Sequence, residues 1–196
     1  MSKKNFFGGG KGLIIILVVI VIILAFYIIS SRNTMAAKEI EVDNAWAQVQ
    51  NVYQRRLDLI PNLVESVKGY MQLEKDIFET IAEARAGINS AETPAELENV
   101  NKEINSFIGS LRVIVEDTPE LKASETVRDL MTQLEGTENR IATERGRFNE
   151  SVRGYNTYIK MFPRNAIAGL FGFVAKEFFE AAEGAEVAPE VNLELD

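Results

Sequence analysis

The sequence predicts an all-α protein: an N-terminal transmembrane helix followed by an elongated, up-and-down four-helix bundle. Three observations carry this. Leu13 to Ile29 is an unbroken apolar run. A 4-3 hydrophobic spacing begins at Val42 and holds its phase to Ile88. Beyond it, Pro-containing turns separate two further amphipathic stretches and a strongly apolar one. These mark out a short basic segment (1–12), an anchor (13–30), a helical bundle (31–182) and an acidic tail (183–196).

The apolar run has 17 residues, between Gly12 and Ser30. Each Leu, Ile, Val or Phe favours insertion by roughly 0.3–0.6 kcal/mol, so the run inserts with several kcal/mol in hand. It sits at the short end of the spanning range, and its flanks extend it. A cleaved signal peptide would carry a hydrophobic stretch of only about 7–15 residues and a small-x-small site. Here the stretch is longer and Thr34-Met35-Ala36 is a poor site. Lys3, Lys4 and Lys11 precede the run, whereas only Arg32 and Lys38 follow it closely. That asymmetry predicts a single-pass protein with a cytoplasmic N-terminus and an extracytoplasmic helical domain. Gly8-Gly9-Gly10-Lys11-Gly12 lacks the spacing of a phosphate-binding loop and reads as a flexible link.

The seam of the first long helix runs Val42, Trp46, Val49, Tyr53, Arg56, Ile60, Leu63, Val67, Tyr70, Glu74, Ile77, Ile81, Ala84, Ile88, with Arg56 and Glu74 its only charged positions. Such a repeat is a core-facing helical stripe. Pro61 falls inside it without resetting the phase, which predicts a kink rather than a break. Thr93 and Pro94 are the N-cap and first-turn proline of a second helix over Ala95 to Val115, with Leu97, Val100, Ile104, Phe107/Ile108, Leu111 and Val115 inside. A third follows Asp117-Thr118-Pro119 and places Val127, Leu130, Leu134, Thr137, Ile141, Glu144, Phe148, Val152, Tyr155, Ile159 and Phe162 near one face until Pro163. Ala166 to Ala182 is the last helix, folded on the bundle or lying at the bilayer. The surplus length of the first helix predicts that part of its stripe, Val42 to Ile60, meets another copy of the chain.

Composition narrows the chemistry. All 29 acidic residues follow position 30, against 18 basic ones once Lys3, Lys4 and Lys11 are set aside. That surplus of eleven acids argues against nucleic-acid binding. With no cysteine and no histidine, disulfides, Cys–His zinc sites, thiol nucleophiles and His-based triads are excluded. No cofactor, metal or catalytic residue is expected. The absence of cysteine does not report the compartment.

Two stretches resemble the LemA family. The first runs from Asn44-Ala45-Trp46 through Arg55-Arg56-Leu57-Asp58-Leu59-Ile60-Pro61-Asn62-Leu63-Val64 to Val67-Lys68-Gly69-Tyr70 and Ala84-Arg85. The second comprises Glu138-Asn139-Arg140-Ile141-Ala142, Glu144-Arg145, Phe148-Asn149, Tyr155-Asn156, Phe162-Pro163 and Gly169 to Phe173. Phe148 departs from the family, which often has Tyr there. The resemblance implies a bacterial, membrane-anchored four-helix bundle, found beside membrane zinc metalloproteases or other small membrane proteins, with no assigned catalytic residues. It also implies an outward-facing N-terminus, opposite to the charge reading, which is kept here.

Arg55, Asp58, Asn62 and Glu65 form a polar stripe away from the seam. As surface chemistry it is a solvated face; as function it is a docking face. Arg56, Glu74 and Glu144 stand at seam positions where charge is costly unless paired; they either snorkel at the seam's edge or pair inside, with Arg56 and Glu144 the candidate ion pair. In the tail, Pro189, Val191, Leu193 and Leu195 form a candidate linear motif, against the plainer reading of a solubilising terminus. Two functions of different class follow. One is a non-enzymatic membrane scaffold or adaptor that binds the bilayer and assembles with itself, a membrane protease or another membrane protein. The alternative is an enzyme or transport component limited to Ser, Lys or carboxylate chemistry. A buried polar pocket would favour the second and a solid apolar core the first.

Overall fold

The computed structural model describes residues 10–70 and 77–180. The elements are α1 (Gly10–Val67), a 3-10 turn (Lys68–Tyr70), α2 (Ile77–Ser90), α3 (Pro94–Asp117), α4 (Pro119–Ala123), α5 (Glu125–Lys160) and α6 (Arg164–Phe171). Among the described residues there is no strand, so the chain is all-α as predicted. It divides into two compact units, one of residues 1–48 and 150–176, the other of residues 49–149 and 177–196. The seam position Glu74 and the tail positions Pro189, Val191, Leu193 and Leu195 lie outside the described residues.

The second unit, 49–149 with 177–180, is an up-and-down four-helix bundle. Gln50 donates to the carbonyl oxygen of Ile88, and Arg85 meets Asp58, so α1 and α2 run antiparallel. Tyr53 and Arg56 of α1 face Arg145 and Glu138 of α5, again antiparallel, as are α3 and α5 where Glu98 meets Arg145 and Arg112 meets Glu135. The seam positions Val49, Tyr53, Arg56, Ile60, Leu63, Val67, Ile81, Ala84 and Ile88 are all buried. The single long helix expected from Val42 to Ile88 is two, however: α1 ends at Val67 and α2 turns back against it, so the two stretches of the seam face each other across the bundle rather than lying on one rod. Thr93 caps α3, accepting from the Glu96 N–H, and Pro94 opens the helix where a missing N–H costs nothing. Gly87 lets α2 approach α3 closely, since a Cβ there would stand 2.8 Å from Val100 Cγ2. Pro61 lies inside α1, which passes through it unbroken.

The first unit, 10–48 with 150–176, pairs the N-terminal part of α1 with the end of α5 and with α6. Lys38 lies over the Tyr158 ring and Lys176 bridges to Glu39. Its core includes Met35, Val42, Val152, Tyr155 and Ile159. Leu13 to Phe26 are exposed along one continuous helix, the only one among the described residues long and apolar enough to cross a membrane.

Two further expectations need correction. The last helix ends at Phe171, because Gly172 adopts a left-handed conformation (φ 78°) and closes it with bonds from the Gly172 and Phe173 N–H groups to Ala168. Residues 173–180 are irregular. The stripe from Val42 to Ile60 is not left over for another copy either: Val42, Val49, Tyr53 and Ile60 are all buried within the chain.

Candidate functional site

The 4-3 pattern places Arg56 on the inner face of α1, where its side chain is 6% exposed. It ion-pairs with Glu138 of α5 and donates to Oδ1 of Asn101 on α3 at 3.2 Å. Three helices of the bundle thus converge on one guanidinium. Burial pulls its pKa down from the usual arginine range, and Glu138 pulls it back up. Its Nε finds no protein acceptor among the described residues. The predicted partner was wrong: Glu144 instead bonds Arg147 one turn on along α5, and Glu138 takes Arg56. Glu138 is half-exposed, so one end of the pair stays wet.

Beside the pair lies an opening of about 500 Å³, lined by Arg56, Asn105, Ile108, Gly109, Arg112, Met131, Leu134, Glu135, Glu138 and Asn139. Its two carboxylates are both engaged, Glu138 by Arg56 and Glu135 by Arg112 at 2.7 Å. No serine or lysine lines it. Among the described residues no three acidic side chains gather as metal ligands.

A second network in the same unit surrounds Arg145. Its Nε and Nη2 donate to the Tyr53 hydroxyl at 3.0 and 2.6 Å, Nη1 reaches Glu98 at 3.4 Å, and the guanidinium lies 4.9 Å from the Phe179 ring centroid. Burial raises the Tyr53 pKa, and Arg145 opposes that shift. Phe179 packs edge-on to Phe148 at 5.3 Å. The Asn149 amide accepts from the Phe179 N–H and donates to its carbonyl oxygen, both at 2.9 Å. In the other unit Asn156 does the same to Lys176, at 2.9 and 2.8 Å. Each amide stands in for a neighbouring strand, satisfying backbone groups that no helix serves.

The polar stripe is where the spacing put it. Arg55, Asp58, Asn62 and Glu65 are all exposed; Asp58 pairs with Arg85 and Glu65 with Lys68. The string Arg55 to Leu63 thus faces two ways, its Arg56, Leu57, Ile60 and Leu63 inward. Sequence reasoning missed Asn101, Tyr53 with Arg145, and the two asparagine clamps. One signal was available for the clamps: an aromatic followed by Asn, at Phe148-Asn149 and again seven residues on at Tyr155-Asn156.

A family model described as the LemA family matches residues 45–193. Magnetosome protein MamQ 2 of Paramagnetospirillum magneticum is 25% identical over 192 residues, covering 83% of this chain and 71% of that protein. Protein LemA of Metamycoplasma hominis is 24% identical over 159 residues, 79% of this chain and 71% of the relative. Magnetosome protein MamQ of Magnetospirillum gryphiswaldense is 34% identical over 91 residues, 45% of this chain and 34% of its own length.

Proposed function

The chain belongs to the LemA family, and from that premise we propose that it is a membrane-anchored, non-enzymatic helical scaffold that assembles with itself or with other membrane proteins, membrane proteases among them. The observation that carries this reading is the division of the string Arg55 to Glu65. Its inward half is consumed by packing and by the Arg56 network, while Arg55, Asp58, Asn62 and Glu65 stay at the surface. The pairs Asp58–Arg85 and Glu65–Lys68 are solvent-exposed, so exchanging them for a partner's charges costs little, about 0–1 kcal/mol each. Relatives named as magnetosome proteins accord with work at a membrane. The lysine excess before Leu13 supports a cytoplasmic N-terminus in a bacterial cell membrane, with the bundle outside.

The test is a photo-crosslinking amino acid at Asn62, compared with one at the exposed Arg128, in intact membranes. Discrete adducts at Asn62 alone are expected; indistinguishable patterns would contradict a docking face. The second reading, an enzyme or transport component, has the opening beside Arg56 in its favour. Against it, that opening offers no serine or lysine, and arginines hold both its carboxylates.

A further inference from the structure

In the unit of residues 10–48 and 150–176, packing begins where the apolar run ends. Tyr27 and Ile28 are already half-buried, and Ser31 and Met35 are fully so. No linker separates the membrane-spanning stretch from folded protein, because α1 is continuous through both. The Arg32 guanidinium lies 5.6 Å from the Phe171 ring centroid, which sets the end of α6 level with the first charge after the run. Arg32 is three residues beyond Ile29, about 4.5 Å along the helix axis. The headgroup layer on each side of the hydrocarbon is roughly 5–7 Å deep. Residues level with Arg32 are therefore at headgroup depth.

What the chain presents at that level is apolar. Phe162 is 87% exposed, Leu170 76% and Val174 66%, whereas among the described large hydrophobics of the other unit only Val113 and Phe178 are exposed. The charge pattern changes with it. From Ser151 to Lys176 there is no Asp or Glu, although the rest of the domain is rich in both, and Lys160 and Arg164 flank the exposed aromatic and aliphatic groups. Exposed Phe and Leu beside basic residues, with no acid, is the composition of a segment lying in a bilayer surface. Arg164 stacks over Tyr158 at 4.2 Å, keeping its charge beside an aromatic of the kind enriched at that boundary.

The geometry points to a second lipid contact: the α5–α6 corner, Met161 to Val174, beds its exposed apolar side chains into the headgroup–acyl boundary of the leaflet from which α1 emerges. The occupant of this surface is the bilayer, continuous with the one around residues 13–29, and not another copy of the chain. This goes beyond the scaffold reading and does not depend on it. It would hold the first unit against the membrane whatever partner the polar stripe binds.

The full-length chain contains no cysteine, so single nitroxide labels are unique. Leu170→Cys, Phe162→Cys and, as a water-facing reference, Glu150→Cys would be labelled in the intact protein in vesicles of phosphatidylcholine and phosphatidylglycerol. All three side chains are exposed, so no packing is lost. Both corner labels are expected to be more accessible to oxygen than to a water-soluble nickel chelate, by severalfold relative to Glu150→Cys. Nickel accessibility equal to that at Glu150→Cys, at both corner positions, would overturn the proposal. So would low accessibility to both reagents with dipolar broadening, which would mean that a second copy covers the corner.

Discussion

In the bundle of residues 49–149 and 177–180, the described large hydrophobic side chains turn inward, and only Val113 and Phe178 are substantially exposed. The same bundle takes a guanidinium of α1 into its interior and ties it to two other helices, α5 and α3. In the unit of residues 10–48 and 150–176 the distribution is reversed. Among the described residues, every other exposed large hydrophobic belongs to it, and its buried Tyr155 hydroxyl has no hydrogen-bond partner. One helix, α1, runs through both. The contrast teaches that an apolar surface is to be judged against its solvent. Charge outside and a paired charge inside belong to a body in water, whereas the first unit has the surface of one that meets lipid.

The largest effect should come from Glu138→Ala. It strands Arg56, the more deeply buried partner, with only Asn101, and should cost about 3–5 kcal/mol. Arg56→Met keeps the apolar stem and leaves Glu138 in reach of water, so it should cost on the order of 1 kcal/mol. Denaturant titrations of the detergent-solubilised full-length protein would show this asymmetry; equal losses would break the picture of a half-wet pair. Glu144→Ala removes a partly buried carboxylate whose ion pair, with the exposed Arg147, lies within one turn of α5, and should cost no more than about 1 kcal/mol.

The two buried tyrosines sharpen the comparison. Tyr53→Phe deletes the acceptor of two Arg145 N–H bonds and should cost about 1.5–3 kcal/mol. Tyr155→Phe removes an unpartnered hydroxyl and should be neutral or stabilise by about 1 kcal/mol. Burial, with Glu39 and Asp43 nearby, pushes the Tyr155 phenol up to about 12 from its ordinary 10. Below pH 10 it is neutral in folded and unfolded chains alike and contributes no pH dependence. Between 10 and about 12 the unfolded chain ionises first, so stability falls as pH rises. Melting curves from pH 9 to 12 should therefore show a steeper alkaline loss in the parent than in Tyr155→Phe. Superimposable slopes would count against the burial of that hydroxyl.

The smallest effect on stability belongs to the outer stripe. Arg55→Ala and Asn62→Ala should each shift stability by less than about 0.5 kcal/mol while thinning the set of proteins cross-linked from membranes. An unchanged cross-link set would leave the stripe a solvated face.

Periodicity made much of this fold legible, because burial along a helix repeats with the turn: the seam positions from Val42 to Val67 and from Ile81 to Ile88 are turned inward, and the cap at Thr93 is where spacing put it. It did not show the reversal between α1 and α2, because a 4-3 phase that carries on across a turn reads as one helix. It also identified Arg56 as a buried charge. It did not identify the partner, because α5 offers acids at Glu135, Glu138 and Glu144, and only three-dimensional register chooses among them. Glu144 was favoured for its seam position, but a carboxylate just off the seam serves a buried arginine while staying hydrated. The end of α6 was missed because the apolar run continues past Gly172, and hydrophobicity outweighed a left-handed glycine. The asparagine clamps are side chain to backbone, between segments 20 and 30 residues apart, and no local pattern dictates such bonds.

Hydroxyl-radical footprinting of the full-length protein in lipid nanodiscs tests the central contrast most directly. Phe162 and Met161 are at least as exposed as Phe178 of the other unit, at 87% and 53% against 42%. Without lipid, that order predicts faster oxidation of Phe162 than of Phe178. In the nanodisc the account predicts the reverse, with Met161 and Phe162 protected and Phe178 still oxidised. If Met161 and Phe162 remain the more reactive sites in the bilayer, the first unit faces water and the account is wrong.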